Sequence, residues 1–192
     1  MKLAIRPLTP ELWPALSDLF DTKGPCSRCW CMAGRIGAAY RKQPADRNKA
    51  AFRAIVKNGP PPGLLAFDGE RAVGWCQITP RDEVPALDRI HHLKRVDDAA
   101  VWSISCFYVR IGYRRRGITK ALIAEALKVA RRAKAPALEA YPFDADLSPS
   151  ASSTGYFTTF ARAGFKEVAR HRPARPIMRH DLKQRGQRTR RT

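Results

Sequence analysis

The chain has 192 residues, 44% of them hydrophobic and 28% charged, which suits one domain with a real core. No stretch approaches the ~20 apolar residues of a membrane span, and the N-terminal segment lacks the unbroken apolar run of an export signal, so a cytoplasmic protein without membrane association is expected. The formal net charge of +19 favours anionic partners (nucleic acid, a membrane surface or a phosphorylated cofactor), although a basic surface serving only solubility gives the same number.

In chain order, Leu3–Pro7 reads as a strand and Pro10–Phe20 as a short helix that turns Leu12, Leu16, Leu19 and Phe20 inward. Asp21–Arg41 resists assignment and holds Cys26, Cys29 and Cys31, three of the five cysteines. A closed zinc site needs four ligands, and only His91 and His92 are available as distant helpers. No metal is therefore assigned; reduced, partly buried thiols around an aromatic are the competing reading. Asp46–Lys57 is a helix ended by Asn58-Gly59-Pro60-Pro61-Pro62-Gly63.

Leu64–Phe67 and Ala72–Thr79 form a hairpin around Asp68-Gly69-Glu70. Asp82–Asp98 is a polar connection, and Val101–Val109, rich in β-branched and aromatic residues, is a central strand. Gly117–Lys134 carries an apolar stripe at helical spacing and stops at Pro136. Strand Ala137–Tyr141, the Ser-rich loop Leu147–Thr154, helix Tyr156–Ala163 and paired strands Phe165–Arg170 and Ile177–Leu182 complete the order. The expectation is an α/β fold, a mixed and mostly antiparallel sheet with helices on both faces. Residues 1–182 form a single domain and 183–192 a basic, disordered tail.

Chemistry concentrates where the central strand ends. Val109-Arg110-Ile111-Gly112-Tyr113-Arg114-Arg115-Arg116-Gly117-Ile118-Thr119 runs from an apolar strand through a basic, glycine-bearing turn into a long helix. Unpaired N–H groups and the positive dipole end make a helix start an anion site, and arginines add bidentate donors. Neither a P-loop nor G-x-G-x-x-G is present.

This segment resembles the R/Q-x-x-G-x-G/A hallmark of the GNAT superfamily of acyl-CoA-dependent N-acetyltransferases, here Arg114-Arg115-Arg116-Gly117-Ile118-Thr119, with Thr119 where Gly or Ala is usual. Thr159-Phe160-Ala161-Arg162-Ala163-Gly164-Phe165 resembles a second family segment, and the strand order agrees over about residues 1–182. The resemblance to a bacterial branch of the family implies acetyl-CoA as co-substrate and an amine acceptor, a small molecule or a protein amine. It further implies that the backbone of Phe107 and Val109 pairs with the pantetheine arm, and that amides around Arg114, Arg115, Arg116, Gly117, Ile118 and Thr119 bind the pyrophosphate. Ser153 falls where the family often has an Asn on CoA. Phe160 occupies the place of a Tyr that protonates the leaving thiolate; Tyr156, one helical turn earlier, is the substitute acid or an ordinary half-buried aromatic.

For the base, Glu139 shares a strand face with Tyr141. It is either the proton acceptor or a carboxylate paired with an arginine. Nine of the 17 acids lie between Asp82 and Asp146, so Asp97, Asp98, Asp144 and Asp146 are expected as an acidic acceptor mouth for a cationic amine. The rival reading is a nucleic-acid- or ribosome-associated binding module using the basic surface and tail. A monomer and a homodimer are equally compatible with the sequence.

Overall fold

The computed structural model describes residues 3–20, 26–148 and 152–182. Seven strands are present among them: β1 (Leu3–Pro7), β2 (Gly63–Asp68), β3 (Arg71–Pro80), β4 (Trp102–Val109), β5 (Ala137–Ala140), β6 (Lys166–Ala169) and β7 (Ile177–Asp181). They form one sheet in the order β1-β2-β3-β4-β5-β7-β6. Only β4 and β5 run parallel. A parallel pair needs a long crossover, and the 15-residue helix Ile118–Arg132 supplies it.

Helices cover both faces, numbered α1 (Trp13–Phe20), α2 (Cys26–Cys29), α3 (Ala33–Ile36), α4 (Ala39–Lys42), α5 (Ala45–Asn58), α6 (Ile118–Arg132) and α7 (Phe157–Arg162). The alternation of side chains along β2 decides which layer each residue joins. Leu64 and Ala66 pack with Ile118, Leu122 and Ala126 of α6. Leu65 and Phe67 turn the other way, onto Leu16 and Phe20 of α1 and Phe52 of α5. Trp13, Phe20, Trp30, Phe52 and Trp75 make a chain of stacked and edge-on rings in that second layer, a geometry that aromatic quadrupoles favour.

Two details position the site. A Cβ on Gly74 would lie 2.6 Å from Ile118 Cγ2, so glycine in β3 lets the first turn of α6 rest directly on the sheet. And β5 pairs with β4 only from Trp102↔Leu138 to Ile104↔Ala140, leaving the later half of β4 without a neighbouring strand on that side. Residues 152–156 enter this opening: Phe107 N–H donates to the Ser153 carbonyl at 2.6 Å, and Phe143 N–H to the Gly155 carbonyl at 2.9 Å.

The connection Asp82–Asp98 folds as short 3-10 turns at Pro85–Arg89 and His91–Leu93. From Cys26 onward, the segment without clear periodicity becomes the one-turn helices α2, α3 and α4. The tail expected at 183–192 lies outside the described residues.

Candidate active site

The start of α6 is open. Its N-cap, Gly117, sits in the left-handed region at φ 78°, no side chain caps the helix, and the first turn holds no acid. A Cβ on Gly117 or Gly112 would meet nothing within 4 Å. Gly112 (φ 88°), Arg115 (φ 61°) and Gly117 all adopt positive φ, so the turn is tight and irregular. The first backbone acceptance inside the helix is Gly117 C=O from Ala121 N–H at 3.0 Å; the N–H groups of Ile118, Thr119 and Lys120 precede it. The amides of this first turn, the helix dipole and adjacent Arg114, Arg115 and Lys120 form an open, basic cradle whose charge suits an anion.

From this cradle a cavity of about 1010 Å³ runs along β4. Its cradle end is lined by Val109, Arg114, Arg115, Gly117, Thr119 and Lys120, and its middle by Ser105, Cys106, Phe107 and Ser153. Arg110 N–H donates to Val73 C=O on β3, whereas Phe107 N–H faces the opening. By the two-residue alternation, Val109 shares the latter side.

The far end is bounded by α2, α3, the 3-10 turns and the β6–β7 connection, through Cys26, Cys29, Gly34, Leu87, Leu93 and Arg175. None of the lining residues is a carboxylate or an imidazole, among the described residues. Instead, thiols gather there. Cys26 and Cys29 hydrogen-bond each other, as do Cys31 and Cys106. Trp75 Nε1–H donates to Cys31 Sγ at 3.0 Å. The Cys26 hydrogen bond, with help from the backbone amides of Cys31 and Cys29 against desolvation, lowers the Cys29 thiol to about 7. Cys26 keeps its proton, raised by that shared bond and by burial. Trp30 (φ 43°) and Cys31 (φ 56°) are consecutive non-glycine residues in the left-handed region, a costly backbone that recurs at functional sites. Among the described residues, no group of three or more His, Cys, Asp or Glu is arranged to hold a metal ion.

The sequence profile of the acetyltransferase (GNAT) family matches residues 19–149. The chain belongs to the GNAT acetyltransferase family. A search of curated protein sequences returns no match. Among solved structures, GNAT neighbours include the PaiA N-acetyltransferase of Thermoplasma acidophilum in complex with coenzyme A (18% identity, 94% of this chain and 99% of that one, TM-score 0.56). A GNAT-family protein of Desulfovibrio desulfuricans aligns at 15% identity over 95% of this chain and 100% of its own, with TM-score 0.57. Salmonella typhimurium YncA, solved with acetyl-CoA, aligns at 14% identity over 94% of each chain, with TM-score 0.54. At these identities the likeness is one of fold. No helix among the described residues is long and apolar enough to cross a membrane.

Against this GNAT frame, the residues expected from sequence divide. Phe107, Val109, Arg114, Arg115, Gly117, Ile118, Thr119, Ser153 and Tyr156 all line the cavity. Arg116 instead lies over the Tyr113 ring, 5.4 Å from its centroid. Phe160 is fully buried, wedged between Phe107 and Phe165 at 6.0 and 5.0 Å, so it fills core rather than contacting a ligand. The Phe107 amide expected to pair with pantetheine already has the Ser153 carbonyl as partner. Tyr156 donates to the Leu147 carbonyl at 2.6 Å.

The carboxylates are the main correction. Glu139 is 1% exposed and sits outside the cavity wall. Its Oε1 accepts from Arg179 Nη2 and Nε at 2.7 and 3.1 Å. Its Oε2 accepts from the Tyr141 hydroxyl at 2.9 Å, with Arg81 Nη1 3.7 Å away. Arg81 also reaches Asp88 at 2.6 Å and the Leu93 carbonyl at 2.8 Å. A carboxylate held by two guanidinium groups away from the cavity is a brace between β3's end, β5 and β7. Burial, then the charge of Glu139, pushes the Tyr141 phenol well above its ordinary range, which keeps it protonated within that brace.

Asp97 pairs with Arg179 at 2.6 Å, and Asp144 with Arg170 at 2.8 Å. Asp98 is exposed. Asp144 and Asp146 line a separate depression of about 280 Å³ beside Tyr156 and Phe157. The expected acidic mouth is therefore not the wall of the main cavity. Residues that sequence reasoning had not assigned to the site, Cys29, Cys106, Gln77, Tyr40 and Arg175, line it instead. The crowding of Cys26, Cys29 and Cys31 was the one advance signal among them.

Proposed function

We propose that this GNAT protein transfers an acetyl group from acetyl-CoA to a primary amine by direct attack. The observation that carries the proposal is the single cavity joining the open cradle at α6, the unpaired half of β4 and an enclosed, mostly apolar far end. The resemblance of the Arg114–Thr119 turn to the family hallmark supports placing the diphosphate at the cradle. Acetyl-CoA supplies an activated thioester. The rest of the chemistry belongs to the chain.

In this reading the amides of residues 114–120 and the Arg114 and Arg115 side chains hold the diphosphate. The backbone of Phe107 and Val109 directs the pantetheine arm along β4, which requires the Ser153 carbonyl to yield Phe107 N–H. The thioester then reaches Ser105 and Cys106 at the middle of the cavity, and the acceptor enters from the far end. An amine must lose a proton to attack, and a base works best with its pKa near the working pH. Cys29 is a lining thiol whose pKa is lowered, first by its hydrogen bond with Cys26, and it takes the proton directly or through water. Tyr156 supplies the proton to the departing thiolate.

The test is acetyl-CoA turnover, read as thiol release across a panel of primary amines. Amine-dependent release, suppressed in C29A at neutral pH while CoA affinity is retained, is expected. CoA binding with no amine-dependent release across aliphatic, aromatic and amino-acid amines would refute the transferase reading.

A further inference from the structure

Buried guanidinium groups in this protein come with carboxylates. Among the described residues Arg81 has Asp88 and Glu139 and Arg110 has Asp18; the half-buried Arg35 likewise has Glu83. Arg175 is the departure. It is 9% exposed, lines the cavity, and has no carboxylate within ion-pair distance among the described residues. Its Nη1 donates to Thr154 Oγ1 at 3.3 Å, its Nε has no partner, and its guanidinium lies 4.0 Å from the centroid of the Phe143 ring.

Charges around it are of its own sign. Burial, then the neighbouring Arg172, lowers Arg175 to about 10, which leaves it charged at neutral pH. Burial, then Arg175 and Arg172, also lowers His92. A buried cation with one neutral hydrogen bond and repulsive neighbours is unfavourable unless something compensates it. Phe143 compensates in part through its ring face. Nε is itself sealed from the cavity, so the cation's remaining compensation has to come from the cavity that Arg175 lines, where an anion has room to meet the guanidinium.

Arg175 stands in the β6–β7 connection, between Pro173 and Pro176, whose fixed φ limits how far it can swing. It shares the far end of the cavity with Leu87, Ile90 and Leu93, whereas Arg114, Arg115 and Lys120 occupy the cradle end at α6. We propose that Arg175 is an anion-recognition residue at the acceptor end, and that the acceptor is a primary amine carrying a carboxylate on an apolar body, as in the amino-acid class. The proposal rests on the transferase reading for the words acceptor and amine. The anion site itself stands on the geometry of Arg175. Planar guanidinium matches carboxylate through paired donors, and the apolar residues beside it suit the body of such a molecule.

The experiment titrates N-acetyl-L-phenylalanine, shaped like a product of this class, against its neutral isostere N-acetyl-L-phenylalaninamide. Calorimetry is run on wild type, R175M and R175K, each with and without saturating CoA. The acid should bind wild type at least about tenfold tighter than the amide, because an unpaired buried donor penalises the isostere. R175M should erase the difference and R175K restore part of it, with CoA affinity unchanged throughout. Equal affinities in wild type, or no detectable binding of the acid, would overturn the proposal. So would an R175M variant that melts earlier yet keeps the acid–amide ratio, since Arg175 would then be structural. A loss of affinity for CoA but not for dephospho-CoA in R175M would overturn it too, by assigning the guanidinium to the cofactor's own phosphate. Failure of CoA to bind wild type strikes the transferase reading alone; the acid–amide comparison without CoA still decides the anion site.

Discussion

Replacing Glu139 with glutamine separates a structural brace from a catalytic base. The carboxylate is 1% exposed and is shared by Arg179 at 2.7 Å, the Tyr141 hydroxyl at 2.9 Å and Arg81 at 3.7 Å. Removing one partner of a buried ion pair costs about 3–5 kcal/mol, because the remaining charge is left uncompensated. Here each arginine keeps a second carboxylate, Asp97 for Arg179 and Asp88 for Arg81, and glutamine still accepts one hydrogen bond. The lower end, about 3 kcal/mol, is the expectation. For a chain of this length that corresponds to a fall in Tm of about 6–12 °C. Calorimetric melting of E139Q beside wild type measures it, and CoA affinity below the transition should match wild type. An unchanged Tm with turnover abolished would refute the brace and return Glu139 to the chemistry.

The remaining predictions concern the thiols, the cradle and acid. Iodoacetamide labelling of Cys29, followed by peptide mass spectrometry, should rise with pH through a midpoint near about 7. C26A, which removes the hydrogen bond that does most to lower it, should move that midpoint upward; an unmoved midpoint contradicts the thiol pair. Gly117→Ala meets no steric obstacle but imposes φ 78° on a residue with a Cβ, at about 1–2 kcal/mol. The variant should fold with a modest loss of Tm and bind CoA more weakly as the turn relaxes; wild-type affinity would argue against the cradle. Asp97, held below its ordinary value first by the Arg179 hydrogen bond, and Glu167, likewise by Arg170, have depressed folded pKa values. Their stabilisation is present above the ordinary carboxylate range and is lost as pH falls from that range through the depressed folded values. Melting in D97N should therefore be less acid-sensitive than in wild type, while a parallel pH profile would show that the pair contributes nothing.

Much of the fold was legible because alternation and helical spacing are local. β2, β3, β4 and α6 declare themselves through residues such as Leu64, Leu65, Ala66 and Phe67, whose layers follow from position alone. The cradle was legible for the same reason: a strand end, a basic turn, Gly117 and a helix are contiguous. Glu139 shows where locality stops. Its shared face with Tyr141 was readable and they do hydrogen-bond, but the arginines that bind it come from the end of β3 and from β7. Asp97 and Asp144 are neutralised in the same way by partners 82 and 26 residues away. Cys26–Arg41 was opaque because one-turn helices have no period to detect, so the thiols' place at the cavity could not be inferred from spacing. Arg175 was hidden among 36 basic residues; burial without a partner sets it apart, and composition carries no trace of burial.

The account depends most on a diphosphate meeting the free amides at the start of α6. Hydrogen exchange of residues 114–120 in the presence and absence of saturating CoA, at low salt, measures that contact directly. Protection confined to this stretch and to the edge amide of Val109 is the predicted result, with Phe107 N–H exchanging one acceptor for another, together with faster exchange at residues 152–155 as the Ser153 carbonyl is displaced. CoA that binds while leaving the 114–120 amides as exposed as before would contradict the account.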